Sequence, residues 1–158
     1  MRFSNQTKNI DTSKYIIKKL HLNNIQAQYN PDRFRFWKSL HAGQDNEVLN
    51  MLYSPHYEFL KKYKINKHIG EDNNTRYYKL QKLYGRNYRQ IKNKILEFIK
   101  LFEDIKQNGC KKEIIILSKP IVKNKYNKGF EIFEGHHRIT CLLILKYKLI
   151  NAKVIIND

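Results

Sequence analysis

The sequence predicts an α+β domain behind a short N-terminal extension, and three observations carry that prediction. Residues 91–106 place Ile91, Ile95, Phe98, Ile99, Phe102 and Ile105 on one helical stripe. The run Glu113-Ile114-Ile115-Ile116-Leu117 is continuously apolar, as in a strand buried on both faces. After it the apolar residues first alternate, then return to helical spacing, then close in Ala152-Lys153-Val154-Ile155-Ile156. The order helix, strand, strand, helix, strand is that of a mixed domain.

A chain of 158 residues with 41% hydrophobic content suffices for one core, which excludes wholesale disorder. We divide it into residues 1–50, an extension expected to be helical, and residues 51–158, the domain. In the extension Ile16, Ile17, Leu20 and Ile25 suggest one short helical stripe, and Pro31 to Trp37 a Pro-initiated helical turn burying Phe34 and Trp37. Pro55 after Ser54 marks a helix start, followed by Tyr57, Phe59, Leu60 and Tyr63. Arg76, Lys79, Lys82, Arg86 and Arg89 recur at three- and four-residue steps, one helix face, with Gly85 a candidate break. Asn108-Gly109 ends the strongest helix. Pro120-Ile121-Val122 extends or follows the first strand, and 124–129 is a turn. Phe130 to Phe133 is the returning strand. A helix after Gly135 ends near Tyr147, and residues 152–156 form the closing strand.

The net charge of +17 invites a nucleic-acid partner. The excess is positive in every third of the chain, so it forms no basic tail. It is also carried by 24 Lys against 7 Arg, beside 17 Asn and 20 Ile, residues that share A/T-rich codons. Groove readers and phosphate clamps favour the planar fork of Arg. No apolar run is long enough for a membrane span, and the N-terminus lacks the pattern of a signal peptide, so a cytoplasmic location is expected. Two cysteines make no disulfide framework.

Chemistry concentrates at Glu134-Gly135-His136-His137-Arg138, where a strand runs directly into a helix. Gly135 lets a ligand approach the backbone. The first N–H groups of a helix lack internal acceptors and, with the helix dipole, form an anion site. The dipole contributes only ~0.3–1 kcal/mol, so charged donors must add to it. Arg138 offers a fork matched to phosphate oxygens, His136 and His137 ring N–H groups, and Thr140 a hydroxyl. The plainer reading is that these residues cap a helix and cover a sheet edge.

Phe130 to Arg138, followed by an apolar helix and a strand, resembles the central motif of the ParB/sulfiredoxin superfamily, most specifically at Gly135-His136-His137-Arg138. The resemblance spans residues 91–156 in element order. It implies a small mixed sheet flanked by helices and a turn that binds nucleotide phosphates, as in CTP-hydrolysing ParB, ATP-using sulfiredoxin and the ADP- or ATP-dependent free serine kinases. Sulfiredoxin carries a catalytic cysteine where His136 stands here, which excludes sulfinic-acid repair at this motif. ParB carries an acidic residue and two Arg at positions 136–138. The free serine kinases, with an acidic residue before Gly-His-His-Arg, are nearest. Residues 50–156, including Ser54-Pro55-His56-Tyr57 and Tyr84-Gly85-Arg86, also resemble ParB-like proteins that accompany bacterial surface-polysaccharide genes.

The kinase branch implies ATP or ADP, with CTP as an alternative, a small-molecule or sugar hydroxyl as acceptor, and Mg2+ bridging phosphate oxygens with Glu134 as its protein ligand. Gly135, His136, His137, Arg138 and Thr140 would hold the phosphates. Glu134 could instead be the proton acceptor, with Glu71 and Glu58 as alternatives. Ser54, His56, Arg76 and Arg86 are candidate accessory contacts, against a plainer reading in which Ser54 caps a helix and His56 lies at the surface. The basic face from Arg76 to Arg89, interleaved with Tyr77, Tyr78, Tyr84 and Tyr88, is either a solvated helix face or a nucleic-acid track. The alternative function is therefore a ParB-like DNA-binding or nuclease module, and a third is phosphate sensing without catalysis. A partition protein also carries a helix-turn-helix after its nucleotide domain; none is read after the closing strand here, so chromosome partitioning is not expected. His137 and Cys141 have zinc spacing, but no second pair accompanies them. Cys141 reads as a buried thiol.

Overall fold

The computed structural model describes residues 10–22, 25–26, 40, 50–118 and 130–156. Within them stands a mixed α/β domain. Its strands are β1 (Tyr15–His21), β2 (Ile25–Gln26), β3 (Ile114–Leu117), β4 (Phe130–Glu134) and β5 (Leu149–Ile155). Its helices are α1 (Pro55–Ile65), α2 (Arg76–Leu83), α3 (Tyr88–Asn108) and α4 (His136–Ile144). The sheet order is β1-β5-β3-β4-β2. β5 runs antiparallel to β1 and parallel to β3, β4 antiparallel to β3, and β2 parallel to β4.

One pleat face is apolar and lies under the helices. Val154 pairs with Ile116 and Ile116 with Ile132, so three buried side chains form a row across the centre of the sheet. Ile150, Ala152 and Ile114 extend that face, which joins Phe59, Leu60, Phe98 and Phe102 in one core. Helix α4 packs against both α1 and α3, and α2 lies against α1 and α3.

Local chemistry fixes the helix ends. The Ser54 hydroxyl accepts from the Tyr57 amide and Pro55 fills the first turn of α1, where its missing N–H is harmless. Thr75 caps α2 by accepting from the Tyr78 amide. Asn87 and Gln90 form a reciprocal capping box at α3, and Gly109 at φ 76° ends it. The Ile91–Ile105 stripe of α3 is buried as expected, Ile99 partly so.

Three expectations need correction. The N-terminal extension is not helical over Tyr15–His21: these residues are β1, paired along their whole length with β5. Their apolar residues follow a ladder and not a helical stripe. The face from Arg76 to Arg89 is not one helix, because Gly85 at φ 81° separates α2 from α3 and puts Arg89 on the second. α4 ends at Ile144, before Tyr147, and the closing strand starts at Leu149. The expected helical turn at 31–37 and the segments 120–122 and 124–129 lie outside the described residues.

Candidate functional site

The turn between β4 and α4 is built around Gly135, the N-cap of α4, at φ 115° and ψ 26°. The first bond of the α4 ladder runs from the Ile139 amide to the Gly135 carbonyl at 2.9 Å. The amides of residues 136–138 therefore precede the ladder, as at any helix start. Arg138 folds back over the glycine. A Cβ at Gly135 would stand 3.0 Å from Ile114 Cδ1 and 3.2 Å from Arg138 Nη2. The backbone and the guanidinium thus both call for glycine.

Arg138 is 8% exposed. Its Nη2 lies 3.8 Å from Glu134 Oε1, a loose contact to a half-exposed carboxylate that Lys112 shares at 3.8 Å. Its Nη1 is buried with no hydrogen-bond partner among the described residues. A buried cation with unmet donors is costly, and an anion is the chemical species that satisfies it. The turn thus sets one buried guanidinium beside a helix N-terminus.

The two histidines do different things. The ring of His137 lies against the helical layer, 4.6 Å from the Phe98 ring and 4.8 Å from that of His56, both edge-on. Its Nε2 shares a 2.8 Å hydrogen bond with the Tyr77 hydroxyl, which is itself buried. Burial lowers His137 to a pKa of about 3, with His136, Lys94, Arg86 and Arg138 opposing its protonation as well. Burial lowers His136 to about 4. Both rings are neutral at physiological pH, so the charge of the site comes from Arg138. Burial also pushes the Tyr77 phenol far above its usual range, which keeps its proton in the bond to His137.

The accessory candidates divide. His56 is buried at the start of α1, not at the surface, and stacks at 6.3 Å on His136. Ser54 is a cap: it accepts from Tyr57 and donates to the Met51 carbonyl at 2.7 Å. Thr140 is fully buried, and its hydroxyl donates to the His136 carbonyl at 2.8 Å, so it does not serve as a ligand donor. Arg76 pairs with Glu58 and reaches the Leu40 carbonyl. Arg86 donates to Gln81 at 2.7 Å while its field reaches His137. Glu71 stands 83% exposed, 3.7 Å from His68, on a 3-10 turn (Ile69–Glu71) that packs on α1 and α3.

Of the interleaved tyrosines, Tyr77 is buried, Tyr78 and Tyr84 half-buried and Tyr88 exposed, so the aromatics do not form one stacking track. Among the described residues no group of three His, Cys, Asp or Glu is arranged to hold a metal. Cys141 is buried in α4, and burial pushes its thiol up to about 12. The sequence reading missed Tyr77 and Phe98 as walls of the site. Their helices are legible, but a contact between residues 77 and 137 has no local signal.

No protein-family model, no curated protein and no solved structure matches the chain. Among the described residues no helix is long and apolar enough to cross a membrane.

Proposed function

We propose that the Glu134–Arg138 turn holds a nucleotide phosphate and that the chain is a ParB/sulfiredoxin-like kinase, transferring phosphate from ATP or ADP to a small-molecule or sugar hydroxyl. The observation that carries this reading is the guanidinium of Arg138, buried at the N-terminus of α4 with Nη1 unpartnered among the described residues. The fold reading is supported by the order α3, β3, β4, α4, β5, with the site at a strand-to-helix turn.

Phosphoryl transfer needs positioning and charge neutralisation more than covalent chemistry. Arg138 and the amides that precede the α4 ladder hold the donor phosphates. The neutral imidazole of His137, fixed by Tyr77 and walled by Phe98 and His56, keeps the floor of the turn rigid. Glu134, the carboxylate adjacent to Arg138, is placed either to take the proton of the acceptor hydroxyl or to ligate Mg2+. Mg2+ commonly takes one or two carboxylates beside substrate phosphates, and Glu134 would be its ligand here if another carboxylate takes the proton. When bound it would neutralise phosphate charge.

A thermal-shift panel of ATP, ADP, CTP, GTP and inorganic phosphate, with and without magnesium, tests this on the wild-type chain and Arg138→Ala. Ligand at about a hundred times its Kd contributes about 2.7 kcal/mol, or several degrees in Tm. That shift is expected with one nucleotide and is lost in Arg138→Ala. No shift with any nucleotide, together with duplex-DNA affinity falling at a log–log slope near −0.9 per phosphate contact, overturns the kinase reading in favour of DNA binding.

A further inference from the structure

The opposite end of α4 carries a second feature, independent of the phosphate turn. The C-terminal ends of α1, α3 and α4 converge there on a cavity of about 260 Å³, lined by Lys64, Lys67, Lys106 and Lys146 above Phe102, Ile144 and Leu145. Lys64 is in the last turn of α1 and Lys106 in that of α3. Lys146 follows α4 at φ 64°, in the left-handed region that a lysine rarely adopts. We propose that this cavity binds a small phosphomonoester with an apolar substituent.

Charge is the first argument. Lys67 is partly compensated, 3.7 Å from Glu103 and 4.1 Å above the Tyr63 ring. Lys64, Lys106 and Lys146 have no carboxylate at ion-pair distance among the described residues. Lysines near helix C-termini also offset the helix dipole, each terminus carrying a partial charge of about −0.5. Three such termini offset about 1.5 charges and Glu103 up to one more, which still leaves a positive surplus. The surplus calls for an anion. Ammonium groups are rotatable point charges without a preset planar fork, so a tetrahedral group with several anionic oxygens suits them better than a planar carboxylate.

Shape is the second argument. The floor is apolar, with Phe102 and Ile144 buried and Leu145 half-buried. What the floor leaves open, chiefly the half-buried Leu145 and the apolar stems of the lysines, a short aliphatic or aromatic substituent would cover and an inorganic ion would not. The volume lies just under the roughly 300–1,000 Å³ of pockets for drug-sized ligands, which limits the substituent to about one ring. Exposed ammonium groups are screened by salt, so binding is weak and salt-sensitive.

Methyl NMR of the full chain, titrated with phenyl phosphate and separately with inorganic phosphate, tests the proposal. Phenyl phosphate is expected to move the Ile144 and Leu145 methyl signals at lower concentration than inorganic phosphate. The paired change Lys64→Gln and Lys106→Gln should weaken that response roughly three- to tenfold, for two exposed ionic contacts. Arg138→Ala, which disables the turn, should leave it unchanged. The proposal fails if those methyls stay still at millimolar phenyl phosphate, if both ligands act equally, if the lysine changes have no effect, or if Arg138→Ala abolishes the response. The last outcome would assign the signal to the turn. Conversely, loss of nucleotide binding at the turn alone leaves this cavity standing.

Discussion

Gly135→Ala tests the turn and the guanidinium together, because the new methyl would need a left-handed backbone and would press on Arg138 Nη2. Strain of this kind costs about 1–3 kcal/mol, and chemical denaturation should show a loss of that size. The same change displaces Arg138, so nucleotide stabilisation should fall further than the loss in stability accounts for. The histidines carry a different expectation. His136 and His137 stay neutral in the folded chain down to about pH 4 and 3, while the unfolded chain protonates them near 6.5. Below that value the unfolded state binds more protons, so stability falls as pH is lowered from 7 towards 5. Urea midpoints across this window should decline with acid, and His137→Gln should flatten the decline. A flat wild-type profile would show that these rings titrate normally.

Helix ends decide where the site elements point. Ser54 fixes the start of α1 and so the entry of His56 into the cluster of rings around His137. Ser54→Ala removes the cap and should cost about 0.5–2 kcal/mol, measurable as a shift in urea midpoint, without removing a ligand contact. At this scale the sequence is informative where the signal is local. The α3 stripe, the Ser54-Pro55 start and the Gly109 stop each announce themselves within a few residues, and the glycine and arginine of the β4–α4 turn do so through Gly135-His136-His137-Arg138. β1 does not. Ile16 and Ile17 are exposed on an edge strand, so burial gives them no period, and the β5 partner that makes them a strand is at the far end of the chain. Thr140 was misjudged because a threonine inside a helix can satisfy its hydroxyl on the carbonyl four residues back. The Tyr77–His137 bond joins two helices whose relative placement is a tertiary fact.

Across the whole molecule, the helices close by short links while the sheet closes by long ones. β5 lies between β1 and β3, and Tyr15 pairs with Ile155. Pairings between such distant positions meet a large loop-closure cost before any contact rewards them, and they slow folding. Helix–coil relaxation takes about 0.1–1 μs for a 20-residue segment, so α3 can form and dissolve many times before the β1–β5 ladder zips. Pulse-labelled hydrogen exchange during refolding should protect α3 amides first and β1 and β5 amides last; simultaneous protection would contradict this order. Until β5 is seated, β3 shows an open edge of isoleucines beside a cationic chain. The net charge of +17 then acts as a kinetic gatekeeper: repulsion between molecules holds incomplete sheets apart during the interval when edge-to-edge aggregation competes with closure.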